Sequence, residues 1–256
     1  MNKFTKAGIA GLFLSLTAVM ASCGGSSTST TDTAAVTADV YPVTVGDLTL
    51  DAQPTSIISL SPSATEMLYA IGAGSQVVAV DEYSNFPAEA VTLGTKLSGF
   101  EPNIEAISGY SPDLVIVSYD PGSLVEQLKT LNIPVFIAGA AMSLENVYEQ
   151  IEQLGVLTGH SQAAIEVSKT LQTGIEDAVA SVKFSEPPLS YYYELDNTYY
   201  SVTSNTFVGQ IFNLFGMRNI ADNVESGNDY PQLSAEVIVS SDPDFIFLAD
   251  TKCCAQ

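Results

Sequence analysis

Aromatic side chains are the residues of this sequence best suited to hold a flat ligand. Six of them fall in segments that we expect to be loops after strands or between elements: Tyr83, Phe100, Tyr119, Tyr199, Tyr200 and Tyr230. Aromatic rings stack on planar groups, and a tyrosine hydroxyl can add a hydrogen bond. We therefore predict that at least two of them line a ligand cleft, although packing would explain any single one equally well.

Two glutamates form a second set of candidate residues. Glu105 lies eight residues before Asp113, and Glu236 lies eight residues before Asp244. The equal spacing indicates that the two carboxylates share a role. The alternative is that both are ordinary solvated glutamates at helix starts.

The shared spacing belongs to a wider internal repeat. Residues 111–116 (SPDLVI) correspond to residues 242–247 (DPDFIF), and residues 68–72 (LYAIG) correspond to residues 212–216 (FNLFG). One Pro-Asp match would be weak because this dipeptide is common turn chemistry before a strand. Three matches in the same order indicate two similar lobes. Because ligands of open α/β sheets bind outside the carboxyl ends of the strands, a cleft between the lobes is the expected site.

Composition excludes several other functions. The chain has 256 residues, and a hydrophobic content of 46% is enough for a sizeable core. A net charge of −21 argues against nucleic-acid binding, which needs basic residues to neutralise phosphates. A single histidine, His160, and three cysteines exclude a zinc cluster of the usual kind. We expect His160 to be an exposed cap residue in a helix break, and we assign no function to Cys253 and Cys254.

The N-terminal residues read as a targeting segment and a tether. Two lysines precede an apolar run, and residues 20–23 (MASC) resemble a bacterial lipobox. We predict a lipoprotein signal peptide over residues 1–22 and lipid attachment at Cys23, which would anchor the chain to a membrane. The alternative is an ordinary signal peptide with a chance cysteine. Residues 23–40 are rich in Gly, Ser and Thr, which predicts a flexible tether.

The rest of the chain predicts an α/β fold with two lobes. Apolar runs alternate with helical segments over residues 41–142, which indicates a parallel sheet covered on both faces. Residues 143–186 are helical in pattern and would bridge to a second α/β lobe over residues 187–256. That second lobe is expected to be incomplete and less stable, because the repeat lacks a helix and a strand after residue 249.

Three helix starts are predicted from serines. Ser63, with Glu66 three residues later, fits a capping box. Ser143 and Ser161 are expected to cap the two bridging helices, because each precedes a long segment of helical periodicity.

Three of these segments together resemble the Fe/B12 periplasmic-binding family. They are residues 59–66 (SLSPSATE), residues 103–105 (NIE) and residues 111–116 (SPDLVI), and the similarity covers about residues 55–256. The resemblance implies two parallel-sheet lobes bridged by a long helix, as in class III periplasmic binding proteins. It also implies a binding protein that is not an enzyme and that serves an ABC importer of cobalamin, ferric siderophores or haem.

The same resemblance assigns roles to candidate residues. Glu105 and Glu236 look like the family's docking glutamates, which would meet arginines on the two permease subunits that work with the ATPase subunits. Tyr83 and Tyr230 lie near positions where the resembling cobalamin binders carry pocket aromatics. The implied protein is an extracytoplasmic, lipid-anchored monomer without an intrinsic cofactor, and its ligand is a cobalt corrinoid or an iron chelate.

Arg218 bears on the choice of ligand because it is the only arginine in the sequence. We expect it near a helix end, where a cation is favourable. Because the sequence carries few basic residues, we favour a neutral, amide-rich ligand such as cobalamin. An anionic ferric siderophore and haem remain alternatives. A cell-envelope hydrolase using the cleft is the rival class, but it would depend on one histidine and lacks a G-x-S-x-G motif. A purely structural lipoprotein leaves the aromatic loops unexplained.

Overall fold

The structure, a computed structural model, describes residues 39–250. The expected signal peptide, Cys23, all but the last two residues of the tether, and the Cys253–Cys254 pair lie outside these residues. Over the described range, none of the helices combines the length and apolar character needed to cross a bilayer.

The first lobe is built on a four-stranded, all-parallel sheet. A short antiparallel hairpin precedes it, formed by β1 (Val43–Val45) and β2 (Leu48–Leu50). In order across the sheet the strands are β4 (Val77–Val80), β3 (Ile57–Leu60), β5 (Leu114–Val117) and β6 (Val135–Ile137). The helices of this lobe are α1 (Pro62–Ala70), α2 (Ala88–Thr92), α3 (Ile104–Ser108) and α4 (Leu124–Thr130). The predicted alternation of strands and helices is confirmed.

The central strands of this sheet are buried on both faces. Ile57 and Leu114 pack into one apolar layer, and Ile58 and Val115, the next residues along each strand, pack into the opposite layer. All four are fully buried. Continuous apolar runs such as these are typical of a parallel sheet covered by helices on both sides.

Two long helices follow the first sheet. Helix α5 (Leu144–Thr158) packs its apolar face into the first-lobe core, and α6 (Ser161–Ala180) packs against α5. Ser143 accepts a hydrogen bond from the Asn146 backbone N–H at 3.3 Å, so the predicted cap of α5 is confirmed. Gly159, at φ +77°, ends α5 in the left-handed conformation that glycine adopts most readily.

The predicted capping box at the start of α1 is wrong by two residues. The helix begins at Pro62, and Ser61 rather than Ser63 accepts a hydrogen bond from the Ala64 backbone N–H at 3.4 Å. Proline suits the first helical position because its φ is already helical and its missing N–H would find no partner there. The cap therefore has to precede the proline.

The predicted cap of α6 is also wrong. His160 occupies the N-cap position and Ser161 is the first helical residue. The Ser161 backbone N–H donates to Asp39 Oδ2 at 3.0 Å, so a carboxylate 122 positions away in the sequence satisfies this helix start. His160 is half-buried rather than exposed, and its Nδ1 lies 2.9 Å from the Thr158 carbonyl oxygen.

The second lobe contains a three-stranded parallel sheet. In order across the sheet its strands are β8 (Arg218–Asn219), β7 (Ser190–Glu194) and β9 (Phe245–Leu248). Its helices are α7 (Phe207–Leu214) and α8 (Ala235–Ser241). Among the described residues β9 is an edge strand, and three of its four side chains are exposed. With two parallel sheets and helices between the strands, the predicted α/β class is confirmed.

The Pro-Asp segments have the same structural role in both lobes. Asp113 Oδ2 accepts hydrogen bonds from the backbone N–H groups of Thr55 at 2.8 Å and Ser56 at 3.1 Å. Asp244 Oδ2 accepts them from the backbone N–H of Ser190 at 2.7 Å and from its hydroxyl at 2.9 Å. Each carboxylate thus fixes the start of the neighbouring strand. These hydrogen bonds lower the pKa of both aspartates, because they favour the charged form.

Candidate functional site

A pocket of about 290 Å³ opens at the carboxyl ends of the first-lobe strands. Three of the six predicted aromatics line it, one from each of three separate loops: Tyr83 after β4, Phe100 before α3 and Tyr119 after β5. The other lining residues are Leu60, Pro62, Asp81, Gly99 and Ser118. This is the edge at which parallel α/β sheets bind their ligands.

The three aromatic rings form one exposed cluster. The ring centroids of Tyr83 and Phe100 are 5.6 Å apart in an edge-to-face arrangement, and those of Phe100 and Tyr119 are 6.4 Å apart. Phe100 stands between its two neighbours and is 62% exposed. Large aromatic side chains that converge on a pocket yet remain open to water are typical of a binding surface rather than a core.

Local backbone contacts hold the Phe100 loop against the sheet. Gly99 lies so close to β3 that a Cβ atom at this position would be 2.8 Å from the Leu60 carbonyl oxygen. The Ser98 hydroxyl accepts hydrogen bonds from the backbone N–H groups of Phe100 at 3.3 Å and Glu101 at 3.0 Å. The ring is therefore presented by a loop with little freedom to move.

Part of the pocket lining is polar. Asp81, only 3% exposed, accepts hydrogen bonds through Oδ1 from the backbone N–H and the hydroxyl of Ser84. Behind it, the Thr65 hydroxyl lies 2.9 Å from the Ser84 hydroxyl and donates to the Ser59 hydroxyl at 2.8 Å. A buried network of this kind fixes side-chain positions beneath the aromatic rings.

The other three predicted aromatics lie on the second lobe. Tyr199 and Tyr200 follow β7, and the backbone N–H of Leu233 donates to the Tyr199 carbonyl oxygen at 3.0 Å. Tyr200 also pairs with Gln232, so this segment runs beside the one that contains Tyr230. The three tyrosines are 40–53% exposed. Within the described chain their rings make no contact with one another of the kind seen in the first-lobe cluster.

The two predicted glutamates occupy equivalent positions on the two lobes. Glu105 is the second residue of α3, which Asn103 caps by accepting a hydrogen bond from the third helical N–H. Glu236 is the second residue of α8, which Ser234 caps in the same way. Both side chains are exposed. The helix start favours a carboxylate, and hydrogen bonds from its own backbone N–H and from Ser234 lower the pKa of Glu236.

Arg218 lies close to the end of α7, as its position in the sequence predicted. Arg218 is the first residue of β8 and follows Gly216, which has a positive φ just after the end of α7. Among residues 39–250 no three His, Cys, Asp or Glu side chains cluster in a way that could hold a metal ion. A flat ligand that brings its own metal does not need such a cluster.

A second pocket, of about 240 Å³, adjoins the sheet of the second lobe. Leu189, just before β7, and Phe245, at the start of β9, contribute to its lining. It is at the amino ends of the strands, and apolar side chains dominate it. The first-lobe pocket is the better candidate because it combines aromatic rings with a few convergent polar groups.

Sequence reasoning missed Asp81, which is the one charged residue among the described residues that line the first-lobe pocket. The available signal was its position directly after the apolar run of β4, at the carboxyl end of a predicted strand. Glu82 follows it, and the sequence alone does not distinguish the buried carboxylate from its exposed neighbour.

The sequence matches a known family over most of its length. Residues 57–253 match the family described as periplasmic binding protein. A cobalamin-binding protein of Halobacterium salinarum is 35% identical over 218 residues, which is 80% of this chain and 58% of the relative. YvrC of Bacillus subtilis, an uncharacterised ABC transporter substrate-binding lipoprotein, is 29% identical, and the alignment covers 96% of this chain and 81% of YvrC. The chain thus spans less than two thirds of the length of the halobacterial relative.

Solved structures share the fold. The periplasmic vitamin B12 binding protein BtuF of Vibrio cholerae matches with a TM-score of 0.62 and 28% identity, and the match covers 76% of each chain. The periplasmic haem binding protein HutB of Vibrio cholerae matches with a TM-score of 0.65 and 25% identity, and again 76% of each chain is covered.

Proposed function

Because the chain belongs to the periplasmic binding protein family, we propose that it captures a metal chelate, preferably a corrinoid, outside the cytoplasm for an ABC importer. The observation that carries this proposal is the cluster of Tyr83, Phe100 and Tyr119 around the first-lobe pocket. Three rings from three loops form a surface on which a flat macrocycle can lie. A purely structural role would not require them to remain exposed.

The size of the pocket fits one part of such a ligand. Its volume of about 290 Å³ is at the lower end of the usual range for small-molecule sites. A corrin or porphyrin would therefore extend beyond it. We assign Tyr199, Tyr200 and Tyr230, which lie beyond the carboxyl end of β7, to the opposing half of the site.

Charge supports a neutral ligand over an anionic one. The sequence carries 29 Asp and Glu against 8 Lys and Arg. A ferric catecholate or the two carboxylates of haem would have to overcome this field, whereas the amide side chains of a corrinoid would not. The name of the halobacterial relative, a cobalamin-binding protein, agrees with this preference.

Delivery to a permease is the second part of the proposal. Glu105 and Glu236 are exposed at matching helix starts, so the protein presents one carboxylate on each lobe. Two permease arginines related by two-fold symmetry would bind them as bidentate, charge-assisted pairs. Lipid attachment at Cys23 would keep the protein beside that permease, and the lipoprotein relative supports this.

Parallel calorimetric titrations test the ligand assignment. The protein is titrated with cyanocobalamin, haem and a ferric catecholate siderophore, and each ligand is recovered afterwards and analysed by mass spectrometry. We expect cyanocobalamin to bind tightest and to be recovered unchanged. Preferential binding of either iron chelate would refute the corrinoid assignment, and chemical conversion of any ligand would refute the transport role.

A further inference from the structure

Within the part of the chain that the structure describes, one carboxylate oxygen of Asp81 accepts no hydrogen bond from the protein. Its backbone N–H donates to the Ser59 carbonyl oxygen at 3.0 Å, which extends β4 by one residue and places Asp81 in the lining of the pocket. The side chain is 97% buried, since only 3% is exposed. A carboxylate this deep is costly unless hydrogen bonds compensate for its lost hydration.

The two oxygens of this carboxylate have different surroundings. Oδ1 accepts both the backbone N–H of Ser84, at 3.1 Å, and the Ser84 hydroxyl. Within residues 39–250, no backbone or side-chain group donates a hydrogen bond to Oδ2. Gly99 forms the adjacent wall, where a Cβ atom would lie only 3.4 Å from Oδ2 and would crowd it. The missing side chain at Gly99 therefore leaves this oxygen uncovered on that side.

We infer that Asp81 Oδ2 accepts a hydrogen bond from an N–H or O–H group at the edge of the ligand and selects ligands that present such a donor. This inference rests on the proposed function, because it places the donor on a flat chelate lying against Phe100 and its neighbours. A primary amide on the rim of a corrinoid is a donor of the required kind.

The same oxygen would reject a carboxylate at that position. Two negative oxygens at hydrogen-bonding distance in a buried site repel each other strongly, and neither can donate a proton to the other without first binding one. A site built around a buried acceptor discriminates sharply against an analogue that lacks the donor, because the acceptor is then left unpaired. Asp81 would thus distinguish amide-bearing from acid-bearing forms of one ligand.

The variant Asp81→Asn tests this inference with little change in shape. Asparagine can keep Oδ1 as the acceptor for Ser84 and replaces Oδ2 with an NH₂ donor. Each protein is titrated with cyanocobalamin and with its monocarboxylic acids, in which one rim amide is hydrolysed. We expect the variant to bind cyanocobalamin about 10- to 100-fold more weakly, the usual value of a hydrogen bond to a charged group. One of the acids should lose much less affinity or gain it.

Glu82→Gln is the matched control, because it removes the same charge from the next residue, whose side chain is exposed. We expect it to leave both affinities within about two-fold of wild type, since screened surface charges contribute little. Thermal unfolding of each variant checks that it is folded, and Asp81→Ser replaces Asp81→Asn if the latter is not. Equal loss for amide and acid, or no loss for the amide, would overturn the inference.

Titration with haem distinguishes a failure of this inference from a failure of the proposed function. If wild type binds haem and not cyanocobalamin, the corrinoid assignment fails, yet Asp81 is still tested. Haem presents carboxylates, so Asp81→Asn should then bind it at least about five-fold more tightly than wild type. Equal or weaker haem binding by the variant would refute the role of Asp81.

Discussion

Truncation of Phe100 should weaken ligand binding measurably without unfolding the protein. An aromatic side chain has an area of about 200 Å², and 62% exposure leaves about 120 Å² available to a ligand. If a flat ligand covers one face, about half of this, the loss at about 25 cal/mol per Å² is about 1.5 kcal/mol. Stacking adds about 0.5–1.5 kcal/mol. Phe100→Ala should therefore weaken binding by about 30- to 150-fold.

Calorimetric titration of Phe100→Ala with cyanocobalamin measures this loss, and Tyr110→Ala is its control. Tyr110 is also an exposed aromatic, but it precedes β5 and so lies towards the amino ends of the strands. We expect its truncation to leave the affinity unchanged. Both variants should unfold at nearly the wild-type temperature, because neither ring is buried. If the two variants bind equally well, the aromatic cluster is not the binding surface.

Three further predictions concern Asp113, the two glutamates proposed to dock the permease, and Cys23. Asp113→Asn should lower the free energy of unfolding by about 1 kcal/mol at neutral pH, a value that allows for solvent screening of this exposed carboxylate. The control Asp47→Asn, in the β1–β2 turn, should have no measurable effect on the free energy of unfolding. Because folding lowers the Asp113 pKa, its contribution is present above the unfolded-state pKa and is lost as pH falls through the folded value, so denaturant melts of wild type and variant should converge in acid. Glu105→Arg combined with Glu236→Arg should abolish uptake through the permease while calorimetric affinity stays at the wild-type value; loss of affinity would mean that the glutamates line the ligand site instead. Cys23→Ala should end metabolic labelling with palmitate and release the protein from membranes, and continued labelling would exclude lipid attachment at this residue.

The fold was largely predictable because its signals are local. The apolar run of residues 114–117 specifies a buried strand by itself, and Asp113 before it has a counterpart at Asp244. Similar local segments in both halves fold into similar structures, so the repeat predicted two sheets. The first-lobe aromatics were predictable for the same reason, since loops that follow parallel strands meet at one edge.

The features that escaped prediction depend on contacts between distant residues. The start of α6 is satisfied by Asp39, and no pattern around Ser161 indicates that partner. Asp81 looks like one of two adjacent acidic residues until the fold brings Ser84 to one of its oxygens and the pocket to the other. Burial of a single charged side chain is set by tertiary packing, which neither composition nor periodicity encodes.

Hydrogen–deuterium exchange with and without saturating cyanocobalamin tests most directly whether the aromatic pocket holds the ligand. We expect slower exchange in the three loops that carry Tyr83, Phe100 and Tyr119. We expect no change around the apolar pocket at the amino ends of the second-lobe strands, which includes Phe184 and Met217. Protection confined to that second pocket, or no protection of the three aromatic loops at saturation, would show that the ligand does not bind at the aromatic pocket.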